Sequence, residues 1–470
     1  MTSNPLTSNP CAAARLRGAS TRLRPLALVL LAALVAPGSV VAKDTHDDLH
    51  RDKAEPQAVS LKEITVTAGK TGRSLKDTAM STVVMDADAL DKRGLRDSND
   101  VLAHIPNVTS AGQGNLAPAV RGIDGTGSAQ GADAFFAGSR ARLSVQVDGR
   151  PASYNEVVFG NASMWDVQQI EMLRGPQSTL QGRNAMAGTL AIKTRDPTWA
   201  PEGAVRMMAG NHGRGQAAFV LSGPVSDEIA LRLSADYQAH HSEVDFQPYP
   251  GVGDPGQYRM RTVRGKLLYE PSDLVGFREL VTFQHADARG PQTATESRPF
   301  GGHQAAFPQM PVFVTDSDSL ISDTQWQFAD RLTFKNLLTA TDLTVDRHAT
   351  PHGGIARIDN RQYMLEPSIR LERGDGRLSG VVGVHWYRTL QHEFIDFPVN
   401  EHFSDRVDTR ALYGEGQLAL GHGFDLTFGA RYEYERHRRY GGDGAVVQIA
   451  IDDTDRVFLP KLGLAWHPDA

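Results

Sequence analysis

From Gly203 onward, the sequence alternates between apolar and polar residues with a period of two. Successive side chains of a β-strand point to opposite faces, so this period predicts strands with one apolar and one polar face. The clearest runs are 229–238 and 426–435, and the others lie at 204–212, 215–223, 257–270, 277–287, 324–335, 336–346, 362–373, 380–392, 408–420 and 456–466.

The length of these runs separates two kinds of β-protein. Most runs reach the roughly 9–11 residues that a tilted strand needs to cross a bilayer, whereas strands of soluble proteins are usually about 5–6 residues long. In the clearest runs the charged residues fall on one face, as a water-filled lumen requires. We therefore predict an antiparallel transmembrane β-barrel with about a dozen strands. A large soluble β-protein is the alternative.

The connections between the runs alternate in length. Those at 224–228 and 421–423 are tight, whereas those at 288–322, 347–361 and 440–454 are long. Barrels of bacterial outer membranes have short turns at the periplasmic end and longer loops at the extracellular end. The alternation is therefore typical of an outer-membrane barrel.

The first 42 residues have the form of a secretory leader. Four arginines between Arg15 and Arg24 precede an apolar core, Leu26–Ala36, and the small residues Val40–Ala42 form a cleavage site. The core is too short to span a bilayer as a helix, which needs about 20 residues. We predict a signal peptide over 1–42, with a retained signal anchor as the alternative. Cleavage removes the single cysteine, Cys11, and with it disulfides and thiolate chemistry.

The charge balance excludes one class of partner. The leader holds four of the 49 basic residues and no acidic one, so its removal leaves 45 basic and 55 acidic residues, a net charge of −10. Nucleic-acid binding requires a basic face, and we expect no nucleic-acid partner. The sequence shows no Ser/His/Asp ordering, phosphate loop or metal-ligand spacing, so we expect no enzyme activity, cofactor or resident metal.

A compact α+β domain is predicted over 76–196, before the alternation begins. Strands are expected at 82–85, from 108, and at 120–123, 143–147, 169–173 and 189–194, with helices at 86–92 and 97–104. Asp86 and either Asp97 or Ser98 are the predicted N-cap residues, and Gly94 and Pro106 follow the helix ends. A turn at Asp148-Gly149 joins the strand before it to residues 151 onward as a hairpin.

One stretch of this domain, Val167–Pro197, carries a specific motif. Its first strand ends in Arg174-Gly175-Pro176, Gly182 and Gly188 follow, and its second strand ends before Asp196-Pro197. This stretch, together with Val147-Asp148-Gly149, resembles the plug domain of TonB-dependent outer-membrane receptors. The resemblance implies a plug at 76–196, a partial barrel at 197–470 and a place in the outer membrane of a Gram-negative cell.

Residues 43–75, between the leader and the plug, are expected to form a periplasmic arm. Its segment Glu63, Ile64, Thr65, Val66, Thr67 and Ala68 is short and β-branched, and an exposed extended segment can add to the edge of a partner's sheet. By spacing alone, an ordinary strand of the next domain is an equal alternative. The resemblance implies that 63–68 contacts TonB. Only 43–62 precedes this box, so we expect no additional N-terminal signalling domain.

The resemblance also assigns an anchoring role to two arginines. In the family, plug arginines at two Arg-Gly positions pair with glutamates on the inner barrel wall, since a guanidinium fork binds carboxylates strongly. The matching positions are Arg121 and Arg174, and the candidate partners on polar strand faces are Glu415 and Glu433. The alternative is that both arginines support only local turns.

Ligand capture is expected to fall to plug loops and long barrel loops that face outward. Aromatic rings stack on flat ligands, and arginine binds anionic chelates. The candidate residues are Asn115, Phe135, Phe136 and Arg140 in the plug and Arg298, Phe300 and His303 in a barrel loop.

The resemblance implies a TonB-dependent active transporter that works as a monomer, with TonB, a small ligand such as an iron chelate and outer-membrane lipid as partners. A ferric siderophore is the expected cargo, with cobalamin, haem or an oligosaccharide as alternatives. A passive porin and a secreted β-rich enzyme or adhesin are rival classes. A truncated, inactive product is a third, because a barrel that holds a plug needs about 22 strands and half a barrel leaves unpaired edges in lipid.

Overall fold

A computed structural model gives the chain a small α+β domain followed by a long antiparallel sheet. It describes residues 65–66, 73–74, 81–110, 117–126, 141–176, 178–182, 185–351, 353–374, 376–396, 399–442 and 447–467. The predicted signal peptide and most of the predicted arm lie outside these residues. Of the arm, β1 (Thr65–Val66) and β2 (Arg73–Ser74) form a short antiparallel pair.

The α+β domain, called the plug from here on, contains seven strands and four helices among its described residues. They are β3 (Ser81–Asp86), α1 (Ala87–Arg93), α2 (Ser98–Ala103), β4 (Val108–Thr109), β5 (Ala119–Val120), β6 (Leu143–Val147), β7 (Arg150–Pro151), α3 (Tyr154–Phe159), β8 (Val167–Arg174), α4 (Ser178–Gln181) and β9 (Gly188–Thr194). None of the helices in the described ranges is long and apolar enough to cross a membrane.

Five of these strands form one mixed sheet in the order β3-β8-β9-β6-β7. Strands β6 and β9 run parallel, and the other neighbours are antiparallel. Helices α1 and α2 bury Leu90, Val101 and Leu102 against the apolar side chains of β8 and β9, including Ile170 and Leu190. Apolar burial of this kind is the main force that holds a domain together.

Local capping explains where the first two helices begin and end. The carboxylate of Asp86 accepts a hydrogen bond from the Ala89 amide at 2.9 Å, and that of Asp97 accepts one from the Asp100 amide at 2.9 Å. Gly94 ends α1 with a φ of 67°, which glycine adopts without steric cost. The predicted helices at 86–92 and 97–104 are therefore confirmed, with Asp97 as the second N-cap residue.

The sequence did not predict α3, α4 or the parallel pairing of β6 with β9. After the predicted Asp148-Gly149 turn, β7 lasts for only two residues, and Ser153 then caps α3 by accepting a hydrogen bond from the Glu156 amide at 3.1 Å. The run Val157-Val158-Phe159 looks like a strand by composition. It is helical here because Val158 and Phe159 are buried against the long sheet.

Twelve strands form the long sheet, each paired antiparallel with the next along the chain. They are β10 (Glu202–Ala209), β11 (Gly215–Pro224), β12 (Ile229–His241), β13 (Gln257–Tyr269), β14 (Phe277–Pro291), β15 (Val312–Ala329), β16 (Leu332–His348), β17 (Ile355–Leu371), β18 (Leu378–Asp396), β19 (Asn400–Gly421), β20 (Phe424–Gly441) and β21 (Ile449–Trp466). Within the described residues, β10 and β21 each pair on one side only. The predicted plug and strand count are confirmed.

The side chains of these strands are distributed in the opposite way to those of a soluble protein. Met207, Leu412 and Phe458 are 83%, 59% and 63% exposed, whereas Arg232 and Arg431 are 4% and 1% exposed. A barrel in lipid shows this inversion, because its outer face meets hydrocarbon and its inner face meets polar groups. The predicted apolar and polar strand faces are therefore confirmed.

The strands extend beyond the runs of apolar alternation. The observed connections are therefore shorter than the long loops predicted from the sequence. The connections are 292–311, 349–354 and 442–448 instead of 288–322, 347–361 and 440–454. Strand pairing continues past the apolar stretch through residues whose outward side chains are charged, such as Arg357 and Asp359. Turns such as 225–228 and 422–423 close the opposite end, as predicted.

We predict that Gly188→Ala destabilises the plug sheet more than Gly175→Ala does. Both glycines have a positive φ (147° and 101°) that disfavours alanine. An added Cβ at Gly188 would lie 2.3 Å from the Leu173 carbonyl oxygen, whereas at Gly175 it would meet no described atom within 4 Å. Overpacking costs about 1–3 kcal/mol.

Hydrogen exchange of the β8 and β9 amides in the folded protein measures this difference. Equal loss of protection in the two variants would show that the contact with Leu173 is not what requires glycine at position 188.

Candidate functional site: the plug–barrel interface

One lysine of the long sheet, Lys266, forms ion pairs with two segments of the plug. Lys266 Nζ lies 3.1 Å from Asp148 Oδ2 and 3.2 Å from Asp196 Oδ1. Arg278 adds a second cation at 2.8 Å from Asp196 Oδ2, and Lys193 of the plug lies 3.3 Å from Asp196 Oδ1. The side chains of Lys266 and Asp148 are 1% and 5% exposed, so this pair is removed from water, whereas Asp196, Lys193 and Arg278 remain partly exposed.

The local fold explains the position of Asp148. It occupies the turn between β6 and β7 with a φ of 49°, a conformation that aspartate tolerates better than most residues. Thr194, at the end of β9, donates its amide to Oδ1 at 2.8 Å and its hydroxyl to Oδ2 at 2.5 Å. Asp148 therefore ties the hairpin turn, the last plug strand and the barrel wall together.

The charges around this lysine change the pKa values of the plug groups. Burial alone would raise the pKa of Asp148, but Lys266 and Lys193 outweigh it and hold the pKa at about 2. Burial likewise opposes ionisation of Asp196, whose pKa is lowered by Lys193, Lys266 and Arg278. The pKa of Lys193 is raised, because Asp148 and Asp196 outweigh the cost of its burial. All of these plug groups are therefore charged at neutral pH.

A second anchor joins Asp166 of the plug to Arg232 on β12. The guanidinium donates from Nε to Oδ2 at 2.8 Å and from Nη2 to Oδ1 at 2.5 Å, and it also contacts Glu202. Side chains of Asp166 and Arg232 are 2% and 3% exposed. Next to this pair, the Ser163 hydroxyl donates to Asp236 Oδ2 at 2.6 Å. The fork geometry fixes the orientation of the plug as well as its distance from the wall.

The third contact between plug and wall is apolar and lies toward the end with the longer loops. The rings of Phe159 on α3 and Phe313 on β15 are 4.3 Å apart between centroids. Val158 joins the same cluster, together with Leu343 and Ile395 of the wall. Within the plug, Arg150 holds α3 through Glu156 with contacts of 2.6 and 2.9 Å. The plug is thus held by charge near the short turns and by apolar packing near the long loops.

The predicted pairs of Arg121 and Arg174 with Glu415 and Glu433 are not the ones in the structure. Arg174 donates from Nη1 to the Pro106 carbonyl at 3.1 Å, and Arg121 is exposed on a turn with a φ of 51°. Glu433 pairs with Arg431 at 2.6 Å, and Glu415 pairs with Lys461 at 2.7 Å.

The wall itself therefore supplies cations for its inward glutamates. The contact of Arg174 within the plug fits the alternative of a local turn support. Glu433 nevertheless lies close to the plug, because a Cβ on Gly182 would be 2.5 Å from Nη2 of its partner Arg431.

The remaining predicted site residues are only partly described. Glu63, Ile64, Thr67, Ala68, Asn115, Phe135, Phe136 and Arg140 lie outside the described residues. Thr65 and Val66 pair with Ser74 and Arg73 in the short sheet.

The other three ligand candidates lie in the connection 292–311. Phe300 is 68% exposed, and its ring centroid lies 5.6 Å from Cζ of Arg298. The amide of His303 donates a hydrogen bond to Oε1 of Glu296 at 2.8 Å. The structure thus places an exposed ring and a cation next to each other at the end with the longer loops.

A cavity of about 810 Å³ lies between the plug and the inner wall. Its lining mixes apolar side chains with polar and charged ones of both signs, including Asn155 and Gln181 from the plug and Glu366, His385 and Arg431 from the wall. Ligand pockets usually measure about 300–1,000 Å³. The space is therefore large enough for a small chelate.

One group of side chains in the described ranges has the spacing of metal ligands. His285, Asp316 and Asp318 each place a ligand atom within 4.8 Å of the others, on the outward face of β14 and β15. The pairing of these two strands brings His285 opposite Asp318. No spacing in the sequence marks this group, because His285 lies on β14 and both aspartates lie on β15.

Comparison with known proteins decides the family. The model of the TonB-dependent Receptor Plug Domain matches residues 74–189, and that of the TonB dependent receptor-like beta-barrel matches residues 192–470. The chain belongs to the TonB-dependent receptor family. The family that the sequence resembles and the predicted location in the outer membrane are therefore confirmed.

Individual relatives match the receptor over part of their length. The pesticin receptor of Yersinia pestis is 28% identical over 255 residues, which is 54% of this chain and 34% of the relative. The ferrioxamine B receptor of Salmonella typhimurium is 36% identical over 86 residues, 18% of this chain and 12% of the relative. The solved ferric yersiniabactin uptake receptor of Yersinia pestis aligns with a TM-score of 0.69 and 20% identity, over 85% of this chain and 63% of that one.

The receptor's charged anchors could not be paired from sequence alone, although one signal was present. Arg264 and Lys266 lie two residues apart on the polar face of one predicted strand. Buried cations require an acidic partner. This rule indicates that an acidic residue meets the polar face of β13, but it does not say that the plug supplies it or that Asp148 and Asp196 do so.

We predict that Lys266→Met loosens the plug of the receptor. The change leaves Asp148 with fewer opposing charges in a buried position, and breaking a buried ion pair by removing one partner costs about 3–5 kcal/mol. Arg206→Met is the matched control, because its partner Asp91 is 60% exposed and such pairs contribute about 0–1 kcal/mol.

Hydrogen exchange at the amides of 143–151 and 188–194 reports on this contact. Protection in the Lys266 variant equal to that in the Arg206 variant would contradict the anchoring role of Lys266.

We also predict that acid weakens the plug contact between about pH 4 and pH 2. The pKa of Asp148 is about 2 in the folded receptor, below the ordinary value of about 3.9. A lowered carboxyl pKa stabilises the fold fully above the unfolded value, and this contribution of about 2–3 kcal/mol is lost as the pH falls through the folded value.

Unfolding midpoints measured from pH 7 to pH 2 test this dependence. Asp148→Asn should lower the midpoint at neutral pH and flatten the profile below pH 4, whereas Asp88→Asn, at a site 81% exposed, should leave the profile unchanged. An Asp148→Asn profile that stays parallel to that of the unaltered receptor would contradict the assignment.

Proposed function

We propose that the chain acts in TonB-dependent uptake of a ferric siderophore across the outer membrane. The observation that carries this proposal is the plug itself, which is bound to the inner wall by Asp148, Asp166 and Asp196. A passive pore needs an open lumen, whereas a plugged one must be rearranged before anything passes. The chain spans about a third of the pesticin receptor it matches and 63% of the yersiniabactin receptor, so the activity proposed is that of the whole receptor.

The siderophore class is supported by the relatives and by the exposed loop. Proteins similar to this chain include receptors for ferrioxamine B and ferric yersiniabactin. The connection 292–311 presents Arg298 and Phe300 as a cation and a ring side by side. This pair suits a ligand that combines negative charge with a flat surface. Binding there, or in the cavity between plug and wall, involves no covalent chemistry and needs no bound cofactor.

Release of the plug requires work from outside the barrel. TonB is the proposed source, through strand addition to residues 63–68. Strand β1 pairs with β2 on one side, and among the described residues its other edge has no strand beside it. An extended partner segment can therefore pair with that edge. Ligand binding outside shifts the population of plug conformations only if the ligand binds one of them more tightly.

A cargo panel tests the substrate class. Cells that lack their own receptors for iron chelates and express this chain should grow under iron limitation when supplied with one ferric siderophore. The purified protein should bind the same compound. Rescue by haem alone, or uptake of cobalamin or an oligosaccharide without any ferric siderophore, would contradict the cargo class. Ion conductance that does not change when 76–196 is deleted would identify a passive pore instead.

We predict that deletion of 62–68 abolishes uptake but leaves ligand binding at the cell surface intact. The deletion removes the proposed TonB contact and no residue of the long sheet or its outer loops. Deletion of 48–54, a segment of equal length in the same arm, is the control and should preserve both activities. Uptake and binding are measured on the same cells with a radiolabelled ferric chelate, and loss of both in the 62–68 deletion would contradict the assignment.

A further inference from the structure

Three neighbouring strands change from apolar to basic at the same level of the outward face. On β18, Val384 and Trp386 precede Arg388. On β19 and β20, the same change occurs between Leu412 and Arg410 and between Tyr434 and Arg436. The arginine cluster of this face consists of Arg388, Arg406, Arg410, Arg436 and Arg438.

The strand register places these changes side by side. Val384 lies opposite Leu412, which lies opposite Tyr432, and the three are 50%, 59% and 51% exposed. Four residues further along, Arg388 lies opposite Asp408 and Asp408 lies opposite Arg436. The arginine cluster therefore lies on the side of the apolar wall that leads to the connections 397–399 and 442–448, on the end with the longer loops.

The arginine cluster holds more positive charge than its neighbours neutralise. Asp408 is shared by Arg388 at 2.5 Å, Arg406 at 2.6 Å and Arg438 at 3.6 Å. Arg436 pairs with Asp452 at 2.8 Å. Five guanidinium groups thus share two carboxylates.

Two observations show that hydrogen-bonding capacity is left over. In the part of the chain that the structure describes, Arg410 has no carboxylate within 4.0 Å although its side chain is exposed. Nε of Arg438 is shielded from solvent and has no hydrogen-bond partner there. A ligand with several acceptor oxygens would therefore find unused donors on the exposed Arg410, whereas Nε of Arg438 lies too deep to reach it.

The excess is local to these strands. On the adjoining strands of the same face, Arg361 pairs with Asp342 at 3.2 Å, and Arg357 lies between Asp346 and Asp359 at 3.3 and 3.0 Å. Further around, β14 and β15 present more acid than base. A general excess of basic residues in the chain does not explain the cluster, since the sequence as a whole has a net charge of −6.

We propose that the arginine cluster binds a phosphorylated glycolipid of the outer leaflet, with its phosphate on the arginines and its acyl chains along Val384, Leu412 and Tyr432. Guanidinium groups bind phosphate through paired hydrogen bonds, which makes arginine the preferred residue for this contact. A free anion would use the arginines but not the exposed apolar wall next to them. A lipid uses both, and the boundary between apolar and basic residues matches the boundary between its chains and its headgroup. The binding is independent of the transported cargo.

The test uses the full chain, folded in bilayer discs of phosphatidylcholine, and measures lipid binding by native mass spectrometry. The probe is bisphosphorylated lipid A. Two comparison probes are the same glycolipid without phosphates and inorganic phosphate alone. The variant R406Q/R410Q/R438Q removes the excess charge and leaves the pairs Arg388–Asp408 and Arg436–Asp452 intact. The control R357Q/R361Q removes arginines from the neighbouring strand at a similar level.

Loss of several charge-assisted hydrogen bonds should weaken lipid A binding at least about tenfold in the triple variant. The control variant should bind within about twofold of the unaltered protein. The glycolipid without phosphates should bind at least about tenfold more weakly than lipid A, again because it lacks the charged acceptors. Unfolding midpoints confirm that the variants are folded. If the triple variant does not fold, lipid A binding is measured with R410Q alone. This change leaves no carboxylate unpaired, because Arg410 has no carboxylate partner among the described residues.

Three results would overturn the proposal. One is equal lipid A affinity in the folded arginine variant and the unaltered protein. Another is equal binding of the glycolipid without phosphates, which would assign binding to the apolar wall alone. The third is binding of inorganic phosphate as tight as that of lipid A, which would identify a free anion as the occupant.

Discussion

Charge buried on the inner wall of the barrel determines how this receptor is assembled. Lys266 and Arg232 would each be costly to leave unpaired away from water, because an uncompensated buried charge is among the most destabilising features in a protein. Their buried partners are plug aspartates, and Arg232 has the partly exposed Glu202 of the long sheet as an additional partner. The wall therefore needs the plug to satisfy its own charges, and the plug's position follows from where those charges lie.

The two faces of the long sheet have different surroundings, although both arise from the same alternation of side chains. The inner face meets a polar domain and pairs its charges with it, as Arg232 does with Asp166. The outer face meets hydrocarbon over one part of each strand and headgroups over the rest. The strands are consequently longer than the apolar alternation, and β19 runs for 22 residues. The period of two in the sequence thus produces an inner face that binds the plug and an outer face with an apolar zone and a charged zone.

Much of this fold could be predicted from the sequence because its determinants are local. The side chain of Asp86 and the left-handed turn at Gly94 define α1 within a few residues of chain. The twelve strands follow from alternation, which is also a local property. Helix α3 could not be predicted in this way, because its run of Val157 to Phe159 favours a strand and becomes helical through contact with the distant Phe313.

The candidate site was less predictable than the fold, because its contacts join distant residues. Asp148 and Lys266 are far apart in the chain and meet only when the register of plug and barrel is set. The family resemblance directed attention to Arg174, which donates to the Pro106 carbonyl of its own domain. The alternation of the strands correctly placed Glu415 and Glu433 on the inward face, but it did not indicate that Lys461 and Arg431 would neutralise them.

The strand order of the plug sheet has a consequence for the order in which the chain can fold. Strand β9 lies in the middle of that sheet, between β8 and β6, although it is the last plug strand to leave the ribosome. The earlier strands cannot form a continuous sheet until Gly188–Thr194 arrives, and only a few residues separate β9 from the first barrel strand at Glu202. Parallel pairing between β6 and β9 also closes a long loop. The conformational entropy of this loop is lost before the contacts between the two strands can stabilise the sheet. Completion of the plug and the start of the barrel are therefore adjacent in the order of synthesis, because the strand that completes the plug sheet leads directly into the segment 195–201 that precedes β10.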